Sequence, residues 1–114
     1  MVDGGVKGSI VCTASVTASK GTDEVLDYTM SKHAVLDGIR VNCVSPSVLG
    51  TPLSCAIFET DTEGVEKKFS SSSNLKGLAL KVNHVADAVL FLASNESAFV
   101  SGHNLAVDGA HRPC

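Results

Sequence analysis

The sequence predicts an α/β fold built on a mainly parallel sheet. Two apolar runs, "GSIVCTAS" from Gly8 to Ser15 and "IRVNCVSP" from Ile39 to Pro46, are typical of strands that are buried on both faces. A third short strand is predicted from Leu105 to Val107, and helical segments separate the three. Strands that alternate with helices in this way favour parallel pairing, since parallel strands need a long crossover connection.

The remaining elements follow from local signals. Residues 28–36 are helix-permissive, Gly38 interrupts them and Pro46 ends the second strand. Residues 47–81 are predicted to be the least regular part, because they combine prolines with a serine run. Asn83 is the predicted N-cap of a helix that ends near Ser94, with apolar residues at helical spacing: Val85, Ala88, Val89 and Leu92. Turns are predicted on both sides of the third strand, at Ser101-Gly102 and Asp108-Gly109.

Composition limits the classes of protein that the chain can be. Its 114 residues make one domain at most, and 44% hydrophobic with 18% charged residues is typical of a globular protein. The net charge is −3 with scattered Lys and Arg, so we expect no nucleic-acid partner. No apolar run approaches the roughly 20 residues that cross a bilayer, and the first apolar run is too short for a signal peptide. We therefore expect a cytoplasmic protein without a membrane partner.

The cysteines and histidines do not indicate a metal site. The four cysteines have no CxxC spacing and lie mostly in apolar runs, which is typical of reduced cysteines that pack as small hydrophobic residues: Cys12, Cys43, Cys55 and Cys114. The histidines show no ligand spacing with cysteines or acidic residues. The predicted metal content is none.

Tyr28 and Lys32 carry the strongest chemical signal. They stand four residues apart in a predicted helix, so the Lys32 ammonium can lie beside the Tyr28 phenol. A neighbouring cation favours the phenolate and lowers a tyrosine pKa that is ordinarily about 10. Tyr28 would then exchange a proton with an alcohol or carbonyl near neutral pH. The pair alone is weak evidence, but Ser15 lies at the end of the preceding strand and "NCVSPSVLGTPL" follows downstream.

This ordered set of motifs resembles the short-chain dehydrogenase/reductase family over nearly the whole chain. The stretches that carry the resemblance are "GSIVCTAS", "YTMSKHAVL", "GIRVNCVSP", "TPL", "VADAVLFLASNES" and "VSGHNLAVDGA". "KHAVL", "NLKG" and "SGHNL" are most similar to the plant secoisolariciresinol dehydrogenase-like branch. The resemblance implies the C-terminal part of a Rossmann-like, doubly wound parallel sheet, with three α/β/α layers. Residues 1–114 would be the C-terminal catalytic half of that domain.

The resemblance also implies roles for individual residues. Ser15 would hold the substrate oxygen, Tyr28 would exchange the proton, and Lys32 would also contact the cofactor ribose. The resemblance implies five residues that bind the cofactor, which is NAD or NADP: Tyr28, Lys32, Pro46, Val48 and Thr51. The implied activity interconverts a secondary alcohol and a ketone, so the partner is a small-molecule alcohol or ketone. Members of the family are usually homo-oligomers, an assembly that we do not expect of a truncated chain.

Two features that the family pattern requires are missing from the sequence. No glycine-rich turn links a first strand to a helix, so the half that holds the pyrophosphate is absent. Only Asp37 and Gly38 separate Leu36 from Ile39, which indicates an internal deletion after Leu36. We therefore expect little or no activity from the chain alone. The alternatives are an inactive remnant that packs with a full-length relative and an unstable product without function.

Overall fold

The computed structural model contains a sheet of three parallel strands. The structure describes residues 7–15 and 38–110. Strand β1 comprises Ser9–Thr13, β2 comprises Arg40–Pro46 and β3 comprises Asn104–Val107, in the spatial order β1-β2-β3. The predicted parallel sheet is present. Residues 14–39 connect β1 to β2, and they exceed the dozen or so residues that a parallel crossover needs.

Two-sided burial was predicted for both long apolar runs, and it holds only for β2. All residues from Val41 to Ser45 are buried, whereas every residue of β1 is half-buried or exposed, with Ile10 38% exposed. The prediction is wrong for β1 because composition does not reveal whether a strand has neighbours on both sides. Within the described part of the chain, β1 pairs with β2 alone.

Two helices lie in the segment that the sequence predicts to be least regular. Helix α1 comprises Pro52–Phe58, and its N-cap Thr51 accepts a hydrogen bond from the Ser54 amide at 3.2 Å. Helix α2 comprises Thr62–Ser70, and its N-cap Asp61 accepts from the Gly64 amide at 2.7 Å. Both helices are short, so apolar periodicity does not reveal them. The capping residues were the signal that the prediction missed.

The serine run after α2 is held by hydrogen bonds from its side chains. The Ser71 hydroxyl donates to the Lys68 carbonyl at 2.9 Å, and the Ser73 hydroxyl donates to the Gly109 carbonyl at 3.1 Å. Gly109 has a φ of 57°, and a Cβ there would collide with the Ser73 hydroxyl. The predicted Asp108-Gly109 turn is therefore present, and its glycine allows the serine segment to approach.

Helix α3 comprises Val82–Ala93 and begins earlier than predicted. Its N-cap is Lys81 rather than Asn83, because the His84 ring nitrogen Nδ1 accepts the Lys81 amide hydrogen bond at 3.0 Å. A 3-10 turn, Asn95–Ser97, follows the helix. No helix in the described ranges is long and apolar enough to span a membrane.

Helix α3 packs on the sheet through its C-terminal end. The Leu92 side chain is fully buried, and the Leu92 carbonyl accepts hydrogen bonds from the Ser9 hydroxyl at 2.9 Å and from Arg40 at 3.0 Å. The buried apolar residues of the described part centre on β2: Ile39, Val41, Cys43, Val44, Val65 and Leu92. Because all three strands are parallel, their carboxyl ends lie at the same end of the sheet.

Candidate functional site

The strand register brings three chain segments together at the carboxyl ends of the strands, which we call the carboxyl edge of the sheet. Thr13 pairs with Val44, and the next amide, that of Ala14, donates to the Val44 carbonyl at 2.8 Å. Continuing this register by two positions places Ser15 beside Pro46, which itself pairs with Val107 of β3. In open α/β sheets ligands bind in the crevice outside the carboxyl ends of the strands. The sequence-predicted Ser15 and Pro46 therefore lie at the edge where such a ligand binds.

The loop after β2 holds the other predicted cofactor residues that the structure describes. The Ser47 amide donates to the Val107 carbonyl at 3.1 Å, which ties the start of this loop to β3. Val48 then lines a cavity at the edge, and Thr51 ends the loop as the N-cap of α1. The Thr51 hydroxyl also lies 3.2 Å from the Ser54 hydroxyl. The Thr51 hydroxyl therefore already caps helix α1. A contact between this hydroxyl and the cofactor, as predicted, would have to form in addition to the cap.

Tyr28 and Lys32 lie outside the described residues. Their predicted roles, and the predicted helix that carries them, stay predictions. Ser15 is the one member of the predicted catalytic set that the structure describes, and it is half-buried.

A cavity of about 220 Å³ opens beside the ends of β2 and β3. Its walls come from the loop after β2, helix α2, the segment that precedes α3, and the turn after β3. Apolar side chains dominate the lining, among them Phe69, Leu75 and Leu80. Glu66 and Asp108 add two carboxylates. A mostly apolar cavity with a few polar groups suits a small organic molecule better than an ion.

The residues that could hold a nicotinamide cofactor fit only one part of it. The residues predicted to contact the nicotinamide end, Val48 and Thr51, lie in the loop after β2, and their role stays a prediction. Within residues 7–15 and 38–110, no strand leads through a glycine-rich turn into a helix, which is the arrangement that binds the pyrophosphate. The same residues contain no group of His, Cys, Asp or Glu side chains that could hold a metal ion.

Sequence reasoning missed two polar side chains in the first half of β2 that tie this strand to the end of α3 and to the segment before β3. The Arg40 guanidinium donates to the carbonyls of Leu92, Ser94 and Val100 at 3.0–3.3 Å. Asn42 is 1% exposed; its amide donates to the Val100 carbonyl at 2.9 Å, and its oxygen accepts from the His103 amide at 3.0 Å. The available signal was an arginine and an asparagine inside an apolar strand, since buried polar groups need partners.

The three parallel strands and the helices that pack on them define an α/β protein with part of a Rossmann-like sheet. Residues 1–110 match the family model described as enoyl-(acyl carrier protein) reductase. The chain belongs to this family, within the short-chain dehydrogenases/reductases, and the predicted resemblance is confirmed.

Two similar curated proteins come from plants. Short-chain dehydrogenase reductase 3b of Arabidopsis thaliana is 50% identical over 123 residues, which cover 97% of this chain and 48% of the relative. The mitochondrial (-)-isopiperitenol/(-)-carveol dehydrogenase of Mentha piperita is 46% identical, with 96% of this chain and 46% of the relative covered. The chain thus spans about half the length of these curated relatives.

Solved structures agree on the fold. A short-chain type dehydrogenase/reductase from Mycobacterium ulcerans matches with a TM-score of 0.79 and 28% identity, over 97% of this chain and 43% of that protein. A short-chain dehydrogenase from Leptospira borgpetersenii with bound NAD+ matches with a TM-score of 0.74 and 22% identity, over 96% and 46%. The predicted fold class, part of a Rossmann-like parallel sheet, is confirmed.

Proposed function

We propose that the chain is the C-terminal catalytic half of an NAD(P)-dependent oxidoreductase that interconverts a secondary alcohol and a ketone. The observation that carries the proposal is the strand register, which places Ser15 and the loop from Pro46 to Thr51 at one sheet edge. The Mentha relative, named for isopiperitenol and carveol, supports a small alcohol as substrate. The solved dehydrogenase that holds NAD+ supports a nicotinamide cofactor.

The proposed chemistry assigns one task to each residue. A bound nicotinamide would supply the hydride acceptor for alcohol oxidation. The Ser15 hydroxyl would hydrogen-bond the substrate oxygen as charge develops on it. Tyr28 would take the hydroxyl proton, and the Lys32 ammonium would stabilise the phenolate form that makes this transfer possible. Val48 and Thr51 would orient the nicotinamide end of the cofactor.

A spectroscopic titration tests the Tyr28–Lys32 pair in the full chain. Tyr28 is the single tyrosine and the chain has no tryptophan, so phenolate absorbance reports on Tyr28 alone. We expect the Tyr28 pKa to lie below its ordinary value of about 10, and Lys32→Met to return it toward that value. An unshifted midpoint in both proteins would remove the physical basis of the pair.

A restored enzyme tests the activity. The Arabidopsis relative would supply the N-terminal half and the helix body after Leu36, followed by the rest of this chain. The deletion at that point is itself a proposal; it is supported by a match of 123 residues to a chain of only 114. We expect alcohol oxidation that falls by about 10²–10⁴ in Tyr28→Phe. Full turnover by that variant would show that the catalytic assignment is wrong.

The chain as it stands is expected to bind the cofactor poorly, since the described residues provide no turn for the pyrophosphate. Calorimetric titration with NADH is the measurement. A micromolar dissociation constant would contradict the proposed loss of binding.

A second candidate is an inactive remnant that packs with a full-length relative through α3 and β3. The observation that favours it is the apolar surface near α3, where Leu90 is 68% exposed and Phe99 is fully exposed. Co-expression with the relative and size-exclusion chromatography would detect the complex. Co-elution that is lost in Leu90→Asp would favour the remnant, whereas separate elution would exclude it.

A further inference from the structure

Cys12 and Cys43 are far apart in the sequence but are direct neighbours across the sheet. The β1–β2 register pairs one with the other, and both are thiols in this structure. Adjacent strands lie about 4.8 Å apart. A disulfide requires a Cα separation of roughly 4.4–6.8 Å. The strand spacing therefore falls within the range that a disulfide between these two residues needs.

The two side chains share one face of the sheet. Ser9 and Arg40 are paired in the same register, and their side chains donate to the same atom, the Leu92 carbonyl oxygen of α3. Paired residues of β1 and β2 thus point to the same side. Cys12 and Cys43 stand three positions further along each strand, so both point to the face opposite α3.

The two thiols differ in exposure. Cys12 is half-buried on the open strand β1, whereas Cys43 is 4% exposed on the central strand β2. A reagent from solvent therefore meets Cys12 first, and Cys43 lies beside it on the same face of the sheet. We propose that Cys12 and Cys43 form a reversible dithiol–disulfide site that reacts with small-molecule disulfides. The proposal does not depend on the dehydrogenase activity.

The exchange proceeds in two balanced steps. The Cys12 thiolate attacks one sulfur of the small disulfide, a Cys12–S–S–R bond forms, and one R–S⁻ leaves. The Cys43 thiolate then attacks the Cys12 sulfur, the Cys12–Cys43 bond forms, and the second R–S⁻ leaves. The two cysteine protons end on the two departing thiolates. The cysteine pair is oxidised, and the small disulfide is reduced to two thiols.

The strand geometry makes this disulfide easy to reduce again. Paired side chains in a parallel sheet extend side by side, so their Cβ atoms are about as far apart as the strands, beyond the ~3.8 Å of a relaxed disulfide. Closing the bond draws β1 toward β2. Strained disulfides have more oxidising potentials and are the labile ones. A reducing thiol in excess is expected to reopen the bond.

The test uses the full chain with Cys55→Ser and Cys114→Ser, which leaves only the pair. After exposure to glutathione disulfide, intact mass and maleimide labelling should show two thiols lost, two hydrogen atoms lost and no retained glutathione. Adding Cys43→Ser should stop the reaction at a Cys12–glutathione adduct. Adding Cys12→Ser should slow modification at least about tenfold, because Cys43 is buried. A stable adduct on the intact pair, or equal rates for both single thiols, would overturn the proposal.

A second measurement needs no variant. The natural chain is oxidised in the same way and mapped by protease digestion and mass spectrometry. Linked peptides containing Cys12 and Cys43 are expected, and their rate of formation should fall about tenfold or more in guanidinium chloride, where strand pairing no longer orients the thiols. Other pairings in the native chain, or an unchanged rate in denaturant, would show that the sheet does not create the site.

Discussion

Strands β1 and β2 pair along the whole of β1, yet β2 is buried from Val41 to Ser45 and no residue of β1 is. Both strands read as apolar runs in the sequence. The difference arises from their neighbours: β2 pairs on both sides, and within the described residues β1 pairs on one side only. We call β2, β3 and α3 the closed unit and β1 the open edge. A strand's position in the sheet sets its burial more than its own composition does.

Side-chain hydrogen bonds strengthen the closed unit. Arg40 binds the carbonyls at the end of α3, where a cation also complements the negative end of the helix dipole. Asn42 links β2 to the segment that enters β3. For the open edge, Ser9 supplies a hydrogen bond to α3 through its hydroxyl.

The largest expected effect tests the core of the closed unit. Leu92→Ala should lower the free energy of unfolding by about 3 kcal/mol, because it leaves a cavity where a fully buried side chain packed. Leu90→Ala is the control, since that leucine belongs to the same helix and is mostly exposed. Urea unfolding followed by circular dichroism is the measurement. Equal losses in both variants would mean that α3 does not pack as described.

Arg40→Met tests the polar link between β2 and α3. We expect a loss of about 2 kcal/mol, because several part-buried carbonyls lose a charged donor. Lys67→Ala removes a positive charge from an exposed position on α2 and should change stability by less than about 0.5 kcal/mol. If urea unfolding shows the same loss of unfolding free energy for both variants, the change in net charge explains the loss, and the Arg40 hydrogen bonds do not.

Hydrogen exchange compares the closed unit with the open edge directly. Amides of β2 and α3 should exchange at least about tenfold more slowly than those of β1. The hydrogen bonds of an edge strand can open while the rest of the core stays folded, so their opening costs less free energy. Native-state exchange with fragment mass spectrometry measures this difference. Uniform protection from Gly8 through Val107 would show that the edge is closed in solution.

The smallest effect on stability is expected from Ile10→Lys. A charge on an open edge strand hinders pairing with a second copy, so the variant should aggregate less while its stability changes by less than about 0.5 kcal/mol. Leu53→Lys makes the same kind of change on the exposed face of α1. Light scattering on heating compares the two. If Leu53→Lys reduces aggregation as much as Ile10→Lys does, the added charge alone explains the reduction, and the edge strand does not.

The sequence predicted the elements whose signals are long and apolar. The three strands and α3 follow from apolar runs and helical spacing, with boundaries within a few residues. Helices α1 and α2 were missed because they are short and rest on the caps Thr51 and Asp61 rather than on periodicity. Helix α3 starts before the predicted N-cap Asn83, because the His84 ring nitrogen accepts a hydrogen bond from the Lys81 amide. Residue propensities alone do not predict this hydrogen bond.

The candidate site was predictable where family motifs cover it. Ser15 and Pro46 reach the same edge, as the motif order implied. The Cys12–Cys43 neighbourhood was not predictable, because spacing along the chain carries no information about register between two strands. The roles of Tyr28 and Lys32 stay predictions.

The parallel register also affects how the chain must fold. Cys43 pairs with Cys12, 31 positions earlier, and with Asn104, 61 positions later, so no strand finds its partner locally. Closing such long loops slows folding relative to local pairing. At roughly 5–20 residues per second, a ribosome needs about 3–12 seconds to extend the chain from Cys43 to Asn104. During that time the strand that becomes the most buried one of the sheet exists without β3, and a chaperone that covers apolar segments would have its longest opportunity to bind there.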